Sequence, residues 1–151
     1  MSGLATVNFS TFTALLLYKW ENGNFVLDDD ENQLSITDGY WGGQYNHDWA
    51  DYDNDGDLDL VSGGISIFDN TNYLTIFKNN NGILSKDTIQ TDLIPLFPCA
   101  LIWIDINGDN YKDLLTLGRF QLNGVSHMYI NDGMGKLITV SYTHLRAHET
   151  Q

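Results

Sequence analysis

Five aspartates fall within nine residues: Asp51, Asp53, Asp55, Asp57 and Asp59, with Gly56 between the third and the fourth. Counting from Asp51, carboxylates occupy positions 1, 3, 5, 7 and 9, and the glycine occupies position 6. In a tight loop, alternate residues turn their oxygens toward one centre, while a glycine allows the backbone its sharpest bend. Calcium wants this supply of hard oxygens, six to eight of them at about 2.3–2.6 Å, drawn from carboxylates, a main-chain carbonyl and water. The spacing predicts a calcium loop with Asp51, Asp53, Asp55 and Asp59 as side-chain ligands and the main-chain carbonyl of Asp57 at position 7. A cation would also relieve the loop of its own charge. Two carboxylates ~4 Å apart repel by about 1 kcal/mol in water and about 4 kcal/mol at an effective dielectric of 20.

The pattern recurs 54 residues later, from Asp51 to Asp105. Asp105, Asn107, Asp109 and Asp113 match Asp51, Asp53, Asp55 and Asp59, Tyr111 takes position 7, and Trp103 matches Trp49. This copy carries less charge. Asn110 stands in place of the glycine, a substitution that asparagine's tolerance of left-handed backbone permits, and Lys112 adds a positive charge. Calcium is expected here too, at lower affinity. An EF-hand is excluded, because it needs a glutamate at position 12 and flanking helices. Those positions hold Ser62 and Thr116, and the flanks read as strands.

The elements that must carry the loops are β-strands. Leu15–Gly23, Leu74–Gly82 and Met128–Gly133 each run apolar residues into an Asn/Asp/Gly turn, and apolar residues return at Phe25, Ile83 and Leu137. Such turns join hairpins, because Asn, Asp and Gly accept positive φ. Each unit therefore reads as strand, acidic loop, strand, linker, strand, tight turn, strand. Four strands in about 54 residues is close to the period of a propeller blade. No stretch sustains helical spacing of apolar residues over three turns. Residues 100–104 are apolar throughout and suggest a strand buried on both faces, whereas the alternation around Leu58 and Leu60 suggests a half-buried one.

These loops and hairpins together resemble the FG-GAP/VCBS repeat family, over about residues 3 to 139. The resemblance implies an all-β fold, a partial β-propeller of two to three four-stranded antiparallel blades in an open arc. The units would be a partial blade at 1–43, a full blade at 44–98 and a nearly complete blade at 99–139. It further implies calcium in the loop joining the first two strands of a blade, a secreted or cell-surface location, and adhesion or binding of carbohydrate or protein ligands. A second function class stays open, the propeller scaffold of a secreted carbohydrate-active enzyme such as a polysaccharide lyase, with its catalytic residues elsewhere. On the favoured reading the chain is not itself an enzyme.

Composition agrees with a cation-binding domain. The chain has 151 residues, 42% hydrophobic and 13% aromatic, with 7 Lys+Arg against 20 Asp+Glu for a net charge of −13. That balance disfavours nucleic acid and anionic membrane, both polyanions. No apolar run is long enough for membrane insertion, and the first residues do not read as a signal peptide. The single cysteine, Cys99, makes no internal disulfide and reads as a small buried hydrophobe. Residues 140–150 resemble, residue for residue, one translation of a sequencing-library adapter. Residues 140–151 are therefore left out of the fold reading, which implies that the natural chain continues differently past 139. His47 and Asp48 could form a general-base pair, but no nucleophile accompanies them, and a polar turn is favoured. Tyr40, Trp41 and Tyr45 could stack on sugar rings, Trp49 and Trp103 read as packing between blades, and residues 28–31 read as a solvated acidic loop.

Overall fold

The computed structural model describes residues 2–9, 12–27, 46–65, 70–120 and 123–140. The aromatic group at Tyr40, Trp41 and Tyr45, the acidic run at 28–31 and the adapter-like segment apart from its first residue, Val140, lie outside them, as does the burial expected of Cys99. The described residues are all-β, without a helix, and form three antiparallel sheets. None of them builds a helix long and apolar enough to cross a membrane.

The first sheet has three strands, β1 (Ser2–Phe9), β2 (Phe12–Glu21) and β3 (Asn24–Leu27), in that order. The second contains β4 (Asn46–Ala50), β5 (Asp59–Ile65), β6 (Asn72–Asn80) and β7 (Ile83–Lys86), and the third contains β8 (Phe97–Ile104), β9 (Asp113–Phe120), β10 (Asn123–Asn131) and β11 (Leu137–Val140). Each four-stranded sheet is a meander in which consecutive strands pair. Turn chemistry dictates the hairpins. Asn22-Gly23 and Asn81-Gly82 both take positive φ at two successive residues, as a two-residue hairpin turn requires. In β8 the pairing with β9 shifts between Phe97 and Ala100. The interruption contains Pro98, which has no N–H to give the ladder.

The two meanders are register copies. Trp49 faces Leu60 and Leu60 faces Phe77 in one, while Trp103 faces Leu114 and Leu114 faces Tyr129 in the other. One face of the second sheet packs on one face of the third. Ala50, Tyr52, Val61, Leu74 and Ile76 form a single buried cluster with Leu101, Trp103, Leu114, Tyr129 and Leu137. Tyr52 stacks on Trp103, with ring centroids 5.3 Å apart and planes at 13°, so Trp103 does pack between sheets.

Polar bonds fix the two sheets in place. The Tyr52 hydroxyl donates to Asp87 Oδ2 at 2.6 Å, and Gln90 donates to the same oxygen and to the Gly135 carbonyl while accepting from the Leu137 N–H. Asp48 Oδ2 accepts the Trp103 N–H at 2.7 Å and its Oδ1 accepts the Trp49 N–H. Asp48 thus sits in a strand with both oxygens engaged by the backbone, which is neither a polar turn nor a partner for His47. Burial pushes the His47 imidazole down to about 4, so it is neutral at physiological pH.

Two readings of the strands need correction. β5 is buried on both faces from Asp59 to Gly64, because sheet β8–β11 covers the Val61 side and the Leu60 side is also removed from solvent. Conversely, residues 100–104 are buried on one face only. Leu101 and Trp103 are in the core, while Ile102 and Ile104 are about 40% and 44% exposed. Apolar composition shows that a face favours cover without showing that cover is present.

Tyr52→Phe keeps the stacking on Trp103 and strips Asp87 of a buried donor. It is expected to cost roughly 1–2 kcal/mol in urea denaturation, against about 3–5 kcal/mol for Tyr52→Ala.

Candidate metal centre

The first acidic loop joins β4 to β5 and the second joins β8 to β9. Both follow the same backbone path. Positions 4 and 6 are left-handed in each, with φ of 59° at Asn54 and 99° at Gly56 in the first loop, and 79° at Gly108 and 69° at Asn110 in the second. The order of Asn and Gly is exchanged, and the path survives because both residues accept positive φ. Asn110 is thereby explained as a working replacement for the glycine.

Position 9 anchors each loop. Asp59 and Asp113 are fully buried. Asp59 Oδ2 accepts the Tyr52 N–H at 3.1 Å and Oδ1 accepts the Asn79 N–H at 2.8 Å. Asp113 repeats this with the N–H groups of Ile106 at 2.9 Å and Asn131 at 2.8 Å. Each carboxylate thus ties its loop to the strand that leads into the next hairpin. The two asparagines complete the brace. Asn79 Nδ2 donates to the Leu58 carbonyl and Asn131 Nδ2 donates to the Lys112 carbonyl, while their Oδ1 atoms accept from Gly82 and Gly133. The sequence reading treated Asn79 and Asn131 only as turn residues. Asn79 stands three residues before Gly82 and Asn131 two before Gly133, so spacing to the turn glycine did not single them out.

In the first loop three carboxylates converge. One oxygen from each of Asp51, Asp53 and Asp59 lies within 4.8 Å of the others, and among the described residues this is the group of acids placed to share a metal ion. Asp51 Oδ2 accepts the Gly56 N–H, but Asp51 Oδ1 and Asp53 Oδ1 are buried without a hydrogen-bond partner. Asp55 and Asp57 turn elsewhere. Asp55 Oδ1 accepts the Asp57 N–H, and Asp57 Oδ2 accepts the Asn81 N–H at 2.7 Å. Of the four side chains expected as ligands, Asp51, Asp53 and Asp59 are brought together, while one Asp55 oxygen is engaged within the loop. At such separations each carboxylate pair repels by about 3–4 kcal/mol at an effective dielectric of 20. Removal from water, opposed by the Asn79 and Tyr52 N–H groups, pushes the Asp59 carboxyl up to about 6.

Lys78, on β6, enters this site. Its Nζ is 3.1 Å from Asp53 Oδ2 and 5.4 Å from the centroid of the Tyr52 ring. Residues 51–59 hold no base of their own, and this one arrives from a strand 25 residues further along. The repeat gave no hint of it, because the register counterpart of Lys78 is Ile130.

The second loop closes on itself. Asp105 Oδ1 accepts the Gly108 and Asp109 N–H groups, and its Oδ2 accepts that of Asn110. Asn107 Nδ2 donates to Asp109 Oδ2, while Asp109 Oδ1 accepts the Tyr111 N–H. Here backbone donors supply what the first loop lacks.

No protein-family model, curated protein or solved structure matches the chain. The second loop is accordingly the nearest reference for the first.

Removing either position-9 carboxylate orphans two buried N–H groups. Asp59→Ala and Asp113→Ala should each lower stability by roughly 2–4 kcal/mol in the presence of chelator. Asp51→Asn, assayed in the same urea titrations, should cost under about 1 kcal/mol, since it also removes a repulsion.

Proposed function

We propose that this chain is a calcium-binding repeat module of β-propeller type, in the manner of FG-GAP/VCBS repeats. Its role would be binding or adhesion toward a carbohydrate or protein ligand, outside the cell or at its surface. The observation that carries this reading is the convergence of Asp51, Asp53 and Asp59, with two buried oxygens that no protein donor satisfies. The register duplication of two four-stranded meanders supports the repeat architecture. Asp51, Asp53 and Asp59 would hold the ion. Bound there, calcium would neutralise the loop and lock β4 to β5. The second loop, with its carboxylates already engaged by N–H donors, would bind more weakly.

The role of calcium on this reading is structural. The ion would fix the loop whose Tyr52 packs on the neighbouring sheet, so metal binding and sheet packing would stabilise each other. Extracellular calcium is millimolar, which suits a loop of modest affinity.

Thermal melts with millimolar calcium against chelator test the proposal. Calcium should raise Tm by several degrees, and Asp51→Asn combined with Asp53→Asn should abolish most of that rise while leaving the chelated protein folded. An unchanged Tm for the wild-type chain would overturn the assignment.

The pH dependence of that increment is a separate check. The Asp59 carboxyl is raised to about 6 in the fold, above its unfolded value of about 4. Protonation therefore stabilises the metal-free fold below about pH 6, and this contribution is lost as pH rises through 6. Calcium requires the ionised form, so its Tm increment should be largest near pH 7.5 and shrink steadily toward pH 5. Comparing calcium and chelator at each pH removes the opposing contribution of His47.

A further inference from the structure

The outward face of sheet β8–β11 is apolar and largely uncovered. Cross-strand partners share a face, so the pairings of Ile102 with Leu115, Leu115 with Met128 and Ile130 with Ile138 place all five on the side away from Trp103. On this side Ile102, Ile104, Leu117 and Ile138 are 40%, 44%, 41% and 53% exposed.

Register identifies what this face matches within the same chain. Ile104, Ile106, Leu115 and Met128 occupy the positions of Ala50, Tyr52, Val61 and Ile76. Those four residues form the face of sheet β4–β7 that is covered by sheet β8–β11, and all are at most 7% exposed. The sharpest contrast is at loop position 2. Tyr52 has no solvent exposure beneath the stacked Trp103, whereas Ile106 is 38% exposed. An equivalent surface is thus closed in one unit and open in the next.

We propose that the outward face of sheet β8–β11 docks one further unit of the same repeat. The incoming unit would seat side chains equivalent to Leu101, Trp103, Leu114, Tyr129 and Leu137 on this face. The argument is continuity with the interface already present, and it does not depend on the metal. It deepens the repeat architecture proposed above while leaving the calcium assignment to its own test. Chemistry favours this occupant over a polar ligand, since most of the exposed side chains are aliphatic, with Ser126 and Arg119 confined to one end of the face. The fit would differ from the existing interface at one point. Ile102 replaces Asp48, so the bond from Asp48 to the Trp103 N–H would have no counterpart. The Asn131 amide, which reaches across to the Tyr52 carbonyl, would have its counterpart in a bond from the incoming asparagine to the Ile106 carbonyl.

The test inserts a second copy of residues 87–139 between Thr139 and Val140 of the full chain, with the C-terminal segment retained. Because Lys86 and Thr139 hold equivalent places in the register, the insert begins where the existing linker does. The expected result is a single cooperative transition with Tm raised by about 5 °C or more, and less binding per molecule of a dye specific for exposed apolar surface. Leu117→Asp or Ile138→Lys in the original unit should remove the gain in the extended chain. In the parent chain these exposed positions should change Tm by less than about 2 °C. A separate, lower transition for the insert, or a gain insensitive to both substitutions, would overturn the proposal. Self-association of the parent chain that Leu117→Asp abolishes would also overturn it, by making a second copy the occupant.

Discussion

The fold depends on burying two carboxylates, Asp59 and Asp113, with no solvent exposure. A buried charge is tolerated only where donors surround it, and each receives one N–H from its own loop and one from the strand running into the following hairpin. That requirement couples segments about 20 residues apart. The loop cannot open without orphaning a donor on β6 or β10, and the hairpin cannot slip register without abandoning the charge. In the first unit, the N–H of Tyr52 binds Asp59 while its ring stacks on Trp103, so one residue joins charge burial to packing between sheets.

Local rules account for what was legible in the sequence. Positive-φ residues at Asn22-Gly23, Asn81-Gly82, Gly56 and Asn110 marked the hairpins and loop bends, because turn geometry depends on a few adjacent residues. The strand order followed from short turns between neighbouring strands. Carboxylate spacing marked both loops, yet it did not show which oxygens would meet. The Asp57 side chain is engaged by the Asn81 N–H and Asp53 is met by Lys78, both from strands or turns more than 20 residues distant. The side-chain bonds of Asn79 and Asn131 were equally hidden, since an asparagine near a turn ordinarily explains itself by backbone conformation alone.

Apolar composition misled in a more instructive way. The run at 100–104 favours cover on two sides, and the structure supplies it on one. Periodicity reports what a segment's surfaces prefer, whereas burial depends on whether a neighbour exists to meet them. The alternation near Leu58 failed in the opposite sense, because Ser62, Gly63 and Gly64 look permissive of solvent but lie between two covered faces. Small and weakly polar residues are compatible with either environment, so their burial is set by what packs around them.

The two loops show that one backbone path can support different electrostatics. With left-handed residues at positions 4 and 6 in both, the bend is the same, and the difference lies in how position 1 is satisfied. Asp105 collects three N–H donors, so its charge is spread over its own loop. Asp51 collects one and leaves its other oxygen buried beside that of Asp53, with Lys78 already committed to the far side of Asp53. A chain with a net charge of −13 has few bases to spare, and further backbone donors would require the loop to tighten. On the proposed reading a divalent ion would satisfy both oxygens, and the proposed calcium therefore belongs first to the loop that starts at Asp51.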